Sequence, residues 1–207
     1  MRYRKETKKR KISKLRVLVL CEGKTEKIYL QGLRNTLPKQ LQRDIQLDFV
    51  TAKEAEPAKA IHELDTKVKK AKGEKQPYKE FWLVFDDDNR NLNGVFQQLS
   101  QMDARYVYSS IAIEFWFLLH YRDTRRRFAS ANEAIAEIEG IEGSYSKTDN
   151  KRWDKLAEHY ERAKARTIAI RAQHNNDEIV LPACKPYSNM DELVDRIKEL
   201  EENYNVK

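Results

Sequence analysis

LRVLVLCEG (residues 15–23) and FWLVFDDDN (residues 81–89) share one construction: a nearly continuous apolar run, then an abrupt change to acids. A run without polar alternation is what a strand buried on both faces requires, as in a parallel sheet. Outward from the first run, Thr25 is the expected N-cap of a helix reaching about Asn35, with Ile28, Leu30 and Leu33 on its apolar face and Pro38 just beyond. Residues 45–50 (IQLDFV) read as a second strand, and Pro57 opens a helix carrying Ile61, Leu64 and Val68 at helical spacing. Residues 73–77 are a loop before the second run. A helix with Leu92, Val95, Phe96 and Leu99 then leads to a fourth strand at residues 105–109 (RYVYS). Strands alternating with helices predict an α/β fold, a mostly parallel sheet flanked by helices on right-handed crossovers.

Past residue 110 the pattern becomes helical. Residues 112–121, 132–139, 151–173 and 190–204 read as helices, and residues 179–181 offer the one further strand. The expected organisation is an arm at 1–14, an α/β core at 15–123 and a mainly helical extension at 124–207 packed on that core.

The chain has 207 residues, 40% hydrophobic and 35% charged, which describes a soluble globular protein. No apolar run is long enough to span a bilayer, and two cysteines, Cys21 and Cys184, exclude both a disulfide framework and a cysteine zinc cluster. A reducing cytoplasm is the expected compartment. The net charge of +7 resides at one end: residues 1–14 hold Arg2, Arg4, Lys5, Lys8, Lys9, Arg10, Lys11 and Lys14 against Glu6, eight minus one, so the rest sums to zero. Clustered cations suit a phosphate backbone through counterion release; they also suit a solvated terminus. Arg2, Arg4, Lys8, Lys9, Arg10 and Lys11, with Lys24, are the candidate nucleic-acid contacts.

In open parallel sheets ligands bind at the carboxyl ends of strands. Here one strand ends at Glu22 and another at Asp86, with Asp88 two residues on. Carboxylates converging there suit Mg²⁺ or Mn²⁺, which take a few oxygen ligands and leave room for substrate phosphates. Acids are also common turn residues; the pairing of two acid clusters, each after a buried strand, favours a site. Gly23-Lys24-Thr25 is not a phosphate loop, because the pattern needs a glycine where Leu18 stands.

Strand–Glu–Gly–helix followed by strand–Asp-x-Asp resembles the Toprim domain of topoisomerases, primases and OLD-type nucleases. The segments VLVLCEGKTEKIYL (17–30), FWLVFDDDN (81–89), YSSIAIEFWFLLHY (108–121), GSYSKTD (143–149) and KPYSNMDELVDRI (185–197) resemble, in order, those of RloB-like proteins. That is a Toprim-related family of bacterial defence and abortive-infection loci. The resemblance implies a Toprim-like core and a Mg²⁺-dependent endonuclease acting on phosphodiesters of RNA, including tRNA, or of DNA. Glu22 would be the general acid/base or a ligand, and Asp86 and Asp88 would hold the metal. It also implies an ABC- or AAA-type ATPase as partner, no membrane, and leaves self-association open. Two departures are visible: Ser110-Ile111-Ala112 lacks the proline that family members often carry there, and Lys185-Pro186-Tyr187-Ser188 replaces Asn-Pro-Ser. The rival reading is a Toprim scaffold that docks on an ATPase without catalysis.

Glu114 stands in an otherwise apolar segment, where a carboxylate is costly unless paired or bound to metal, so it is a candidate ligand or acid/base; a helix N-terminus would also favour it. His120 reads as a helix cap rather than a proton shuttle. Lys147, in the GSYSKTD loop, is a candidate for holding the scissile phosphate, against the ordinary fate of a solvated lysine. Residues 125–127, three arginines, could extend a nucleic-acid track. Phe81, Trp82, Phe85, Phe115, Trp116 and Phe117 read as packing, not as a base-stacking platform.

Overall fold

The computed structural model describes residues 15–205. Four strands are parallel: β1 (Leu15–Cys21), β2 (Ile45–Thr51), β3 (Glu80–Asp86) and β4 (Arg105–Ser110). A two-residue β5 (Tyr187–Ser188) joins β4 antiparallel, giving the order β2-β1-β3-β4-β5. The expected α/β fold with a mostly parallel, helix-flanked sheet is the observed one. β1 and β3 are adjacent central strands, in register from Val17 opposite Glu80 to Cys21 opposite Val84, so their acidic ends meet.

The period of two divides each buried strand between two cores. Val17, Val19, Cys21, Trp82 and Val84 face one side, and Leu18, Leu20, Phe81, Leu83 and Phe85 the other. The second side is covered by α3 (Pro57–Ala71), with its proline in the first turn, and by the short α4 (Val95–Ser100). On the first side lie α1 (Lys24–Thr36), α5 (Ile113–Tyr121), α6 (Ala131–Glu142), α7 (Arg152–Leu156), α8 (Tyr160–Asn176) and α9 (Met190–Asn205). One apolar cluster runs from Val17 to Leu200, so residues on both sides of position 123 pack into the same core. A further short helix, α2 (Lys39–Asp44), precedes β2.

Several local expectations need correction. Thr25 lies inside α1; the N-cap is Gly23, whose extended backbone (φ −114°, ψ 175°) starts the helix two residues earlier. A Cβ at position 23 would stand 2.6 Å from Glu26 Oε2, so glycine is there to admit that carboxylate. Residues 179–181 form no strand; the edge of β4 is completed by Tyr187–Ser188 and by Asn189, whose amide accepts from the Tyr108 N–H (2.8 Å) and donates to the Tyr106 carbonyl (3.1 Å). The single helix expected over 151–173 is two, α7 and α8, joined by a 3₁₀ turn at Ala157–His159. His120 is a core residue whose Nδ1 meets the Trp116 carbonyl at 3.0 Å, and burial lowers its pKa to about 3.

α5 is apolar on every side, which suits a helix buried all round. The KPYSNMDELVDRI segment is structural in a comparable way. Arg171 of α8 binds Asp191 through two bonds (2.6 and 2.7 Å) and donates to the Ser188 carbonyl, where Thr167 also donates. That network fixes α9 to the sheet edge. Among the described residues no helix is long and apolar enough to cross a membrane.

Candidate metal centre

At the carboxyl end of β1 and β3, two helices point their N-termini at one spot. α1 starts after Glu22-Gly23 and brings Glu26 into its first turn; α5 starts after Ala112 and brings Glu114 into its first turn. Between them stands Asp86, the last residue of β3, whose Oδ2 accepts the Ile113 N–H at 3.2 Å and so satisfies a free donor of α5. Glu22 Oε2 accepts the Asp86 N–H at 3.3 Å. Four carboxylates, Glu22, Glu26, Asp86 and Glu114, are therefore gathered in the interior, all below 10% exposed.

Their electrostatics show the cost of that placement. Burial pushes the Asp86 carboxyl well above its ordinary range, and the charges of Glu26, Glu114 and Glu22 push it further. Glu26 is raised to about 7, again by burial first and then by the charges of Glu114 and Glu22. Glu22 is raised by burial, partly offset by Arg90. Asp86 Oδ1 and Glu26 Oε2 are buried without a hydrogen-bond partner. The helix N-termini relieve some of the repulsion, a few tenths to about 2 kcal/mol each, but leave two orphaned carboxylate oxygens.

Glu114 Oε1 accepts the Tyr145 hydroxyl at 2.8 Å, and Tyr145 lies beneath the Arg152 guanidinium, 4.7 Å from ring centre to Cζ. Arg152 is itself buried and paired with Glu142. The GSYSKTD loop therefore reaches the centre through Tyr145. Lys147, two residues on, is exposed and makes no ion pair with the carboxylates.

The Asp86-Asp87-Asp88-Asn89 loop sorts three consecutive acids by direction. Asp86 faces the centre. Asp87 turns to the opposite side, accepting from Ser110 (3.0 Å) and pairing with Lys185 (2.5 Å). Asp88 and Asn89 take left-handed backbone (φ 43° and 56°), which Asx residues tolerate. Asp88 is 44% exposed at the rim, where Arg90 clamps it (2.7 Å) together with Glu22. The structure thus unites Glu22, Asp86 and Glu114 directly, and holds Asp88 to them through a guanidinium. Lys24 is exposed at the start of α1, and the arm cations Arg2, Arg4, Lys8, Lys9, Arg10 and Lys11 lie outside the described residues.

Three participants escaped the sequence reading. Glu26 sits four residues after Glu22, one helical turn away, a spacing that was available as a signal. Arg90 and Tyr145 had none, because their partners are 68 and 31 residues distant (90 minus 22; 145 minus 114).

Among the described residues no group of three or more His, Cys, Asp or Glu side chains is placed so that it could hold a metal ion. The fit to a divalent cation rests instead on donor chemistry: hard oxygens only, two of them orphaned, in a cluster whose charge is uncompensated except by Arg90. Arg90 stands between Glu22 and Asp88 as the counter-charge.

A mostly parallel sheet with a glutamate closing one central strand and Asp-x-Asp closing its neighbour is a Toprim-like arrangement. The model of the RloB-like protein family matches residues 17–197, and the chain belongs to that defence-related family. No curated protein and no solved structure gave a match.

Proposed function

We propose that this protein is a Mg²⁺- or Mn²⁺-dependent nuclease, an endonuclease cleaving phosphodiester bonds in RNA (tRNA included) or DNA. In this reading it is the effector of an anti-phage system that works with an ABC- or AAA-type ATPase. The carrying observation is the buried cluster Glu22, Glu26, Asp86 and Glu114, with its two unpartnered oxygens at the carboxyl edge of the sheet. A fold does not gather four buried carboxylates around one cationic partner, Arg90, for stability, since each costs free energy unless paired.

Asp86 and Glu22, with Glu26 behind them and Asp88 at the rim, would hold the cation. When bound it supplies Lewis-acid stabilisation of a phosphoryl oxygen and lowers the pKa of a water. The rest is done by side chains. Glu22, raised by burial and steadied by Arg90, is the proton-transfer group in this reading. Tyr145 fixes Glu114 by donating to it. Arg90, anchored on the Ala55 carbonyl (2.6 Å), is positioned to face a phosphate once a cation takes over the carboxylates. Lys24, Lys147 and the arm at 1–14 supply cations for the strand.

Titration calorimetry with Mn²⁺ tests the cation site: binding by the wild type, lost in Asp86→Asn/Asp88→Asn, is the expected result. Mg²⁺-dependent cleavage of tRNA or DNA by the protein together with its ATPase, abolished in Glu22→Gln, tests the chemistry. Full activity of both Glu22→Gln and Asp86→Asn rules the assignment out.

A further inference from the structure

The link from α5 to α6 carries four arginines, and they part in direction. Arg122 starts the link in extended backbone (φ −136°, ψ 150°), where side chains alternate sides. Arg122 and Arg126 turn to α6 and are neutralised there, Arg122 by Glu137 (3.0 Å) and Arg126 by Glu137 (2.7 Å) and Glu133 (3.0 Å). Arg125 and Arg127 turn the other way. Their partners are uncharged: the Gln173 side chain for Arg125, and the Lys185 carbonyl (2.8 Å) for Arg127. Neither forms an ion pair with an acid among the described residues.

These two guanidiniums line a cavity of about 150 Å³, together with Lys185 and His174. His174 is buried; its Nε2–H is spent on the Pro186 carbonyl (2.8 Å), and its Nδ1 has no partner. One acid, Asp177, lines the same cavity. Lys185 is shared: its ammonium binds Asp87, the residue next to Asp86. The cavity therefore abuts the acidic loop from the side opposite the carboxylate cluster. Two unneutralised, fork-shaped donors around a small polar hollow match a tetrahedral oxyanion, which guanidinium binds bidentately.

We propose that the cavity between Arg125, Arg127, Lys185 and His174 seats a backbone phosphate of the nucleic-acid strand, flanking the phosphodiester that reaches the carboxylate centre. This rests on the nuclease reading for the identity of the strand, but the anion site itself does not. Arg125 and Arg127 would position the strand and take no part in bond cleavage.

Two probes separate the site from its source, both used in EDTA so that nothing is cleaved. The first is inorganic phosphate, read by thermal shift of the full-length protein. The second is a fluorescent single-stranded oligonucleotide, as RNA and as DNA, read by anisotropy against salt. Variants are Arg125→Gln/Arg127→Gln, the charge-preserving Arg125→Lys/Arg127→Lys, and Arg126→Gln as a control on the acid-paired face. Phosphate should stabilise the wild type and Arg126→Gln but not the double glutamine variant, with partial recovery in the double lysine variant. The double glutamine variant should bind oligonucleotide about ten-fold more weakly at 0.1 M salt, with the salt slope reduced by about one. Equal phosphate stabilisation of wild type and double glutamine variant, or none in either, overturns the site. Phosphate binding lost in the variant with oligonucleotide affinity and slope unchanged overturns the strand assignment. Phosphate binding by a protein that takes up no oligonucleotide does the same, and counts separately against the nuclease reading.

Discussion

Replacing Glu26 by glutamine removes one buried carboxylate at nearly constant volume, and the effect on stability can be worked from its pKa. An unfolded glutamate titrates near 4.3, whereas Glu26 in the fold titrates at about 7. Between those values the native state holds a proton that the unfolded state has released. Stability from this group is thus complete below the unfolded value and is lost as pH rises through 7. The gap of about 2.7 units is worth about 3.7 kcal/mol in all at ~1.4 kcal/mol each, and about 3 kcal/mol of it is lost between pH 5 and pH 8. Asp86 and Glu22 are raised too and act in the same direction. His120 opposes them: its pKa is lowered to about 3 by burial, so it disfavours the fold below its unfolded value near 6.5. The wild-type curve alone is therefore a sum of opposing slopes, and the difference between wild type and Glu26→Gln isolates the cluster. In chelator, that difference should move by about 3 kcal/mol in favour of the variant from pH 5 to pH 8. For a chain of this size that amounts to about 6–12 °C in Tm. Urea unfolding across the pH range measures it. Parallel stability–pH curves for the two proteins would refute the claim that Glu26 is a strained member of the cluster.

Other substitutions test the frame around the centre. Gly32→Ala would place a Cβ 2.6 Å from Trp153 Cβ, where α1 and α7 touch, and should destabilise by about 1–3 kcal/mol in urea unfolding. Asp191→Asn leaves Arg171 without its charge partner in a mostly buried setting and should cost about 3 kcal/mol, while Asp191→Asn with Arg171→Met should recover part of it. Asn189→Ala removes the amide that serves Tyr108 N–H and Tyr106 C=O. It should cost about 2–3 kcal/mol and speed amide exchange at Tyr108. Gly23→Ala should change global stability little, because the clash is with the tip of a flexible side chain. It should nevertheless displace the Glu26 carboxylate and shift the pH dependence toward that of Glu26→Gln.

By itself, the sequence determined what depends on neighbours along the chain. The nearly continuous apolar runs at residues 15–21 and 81–85 specified strands buried on both faces, and their acidic ends placed Glu22 and Asp86 at the ligand edge of a parallel sheet. Glu114 was visible as an acid inside an apolar helix, an anomaly that burial makes costly. What the tertiary structure alone decided concerns direction and distant pairing. Three consecutive aspartates look alike in sequence, yet Asp87 is buried against Lys185, Asp88 in its left-handed turn meets Arg90, and only Asp86 faces the carboxylate cluster. Among four arginines in one link, only the positions of Glu133, Glu137, Gln173 and Lys185 distinguish those neutralised from those left with uncharged partners. The edge of β4 was illegible because a two-residue strand carries no periodicity, and because a side-chain amide can replace a strand's hydrogen bonds without any pattern along the chain. Such pairings are set by packing across the core, where charge and hydrogen-bond demand must be met by whatever residue the fold brings near.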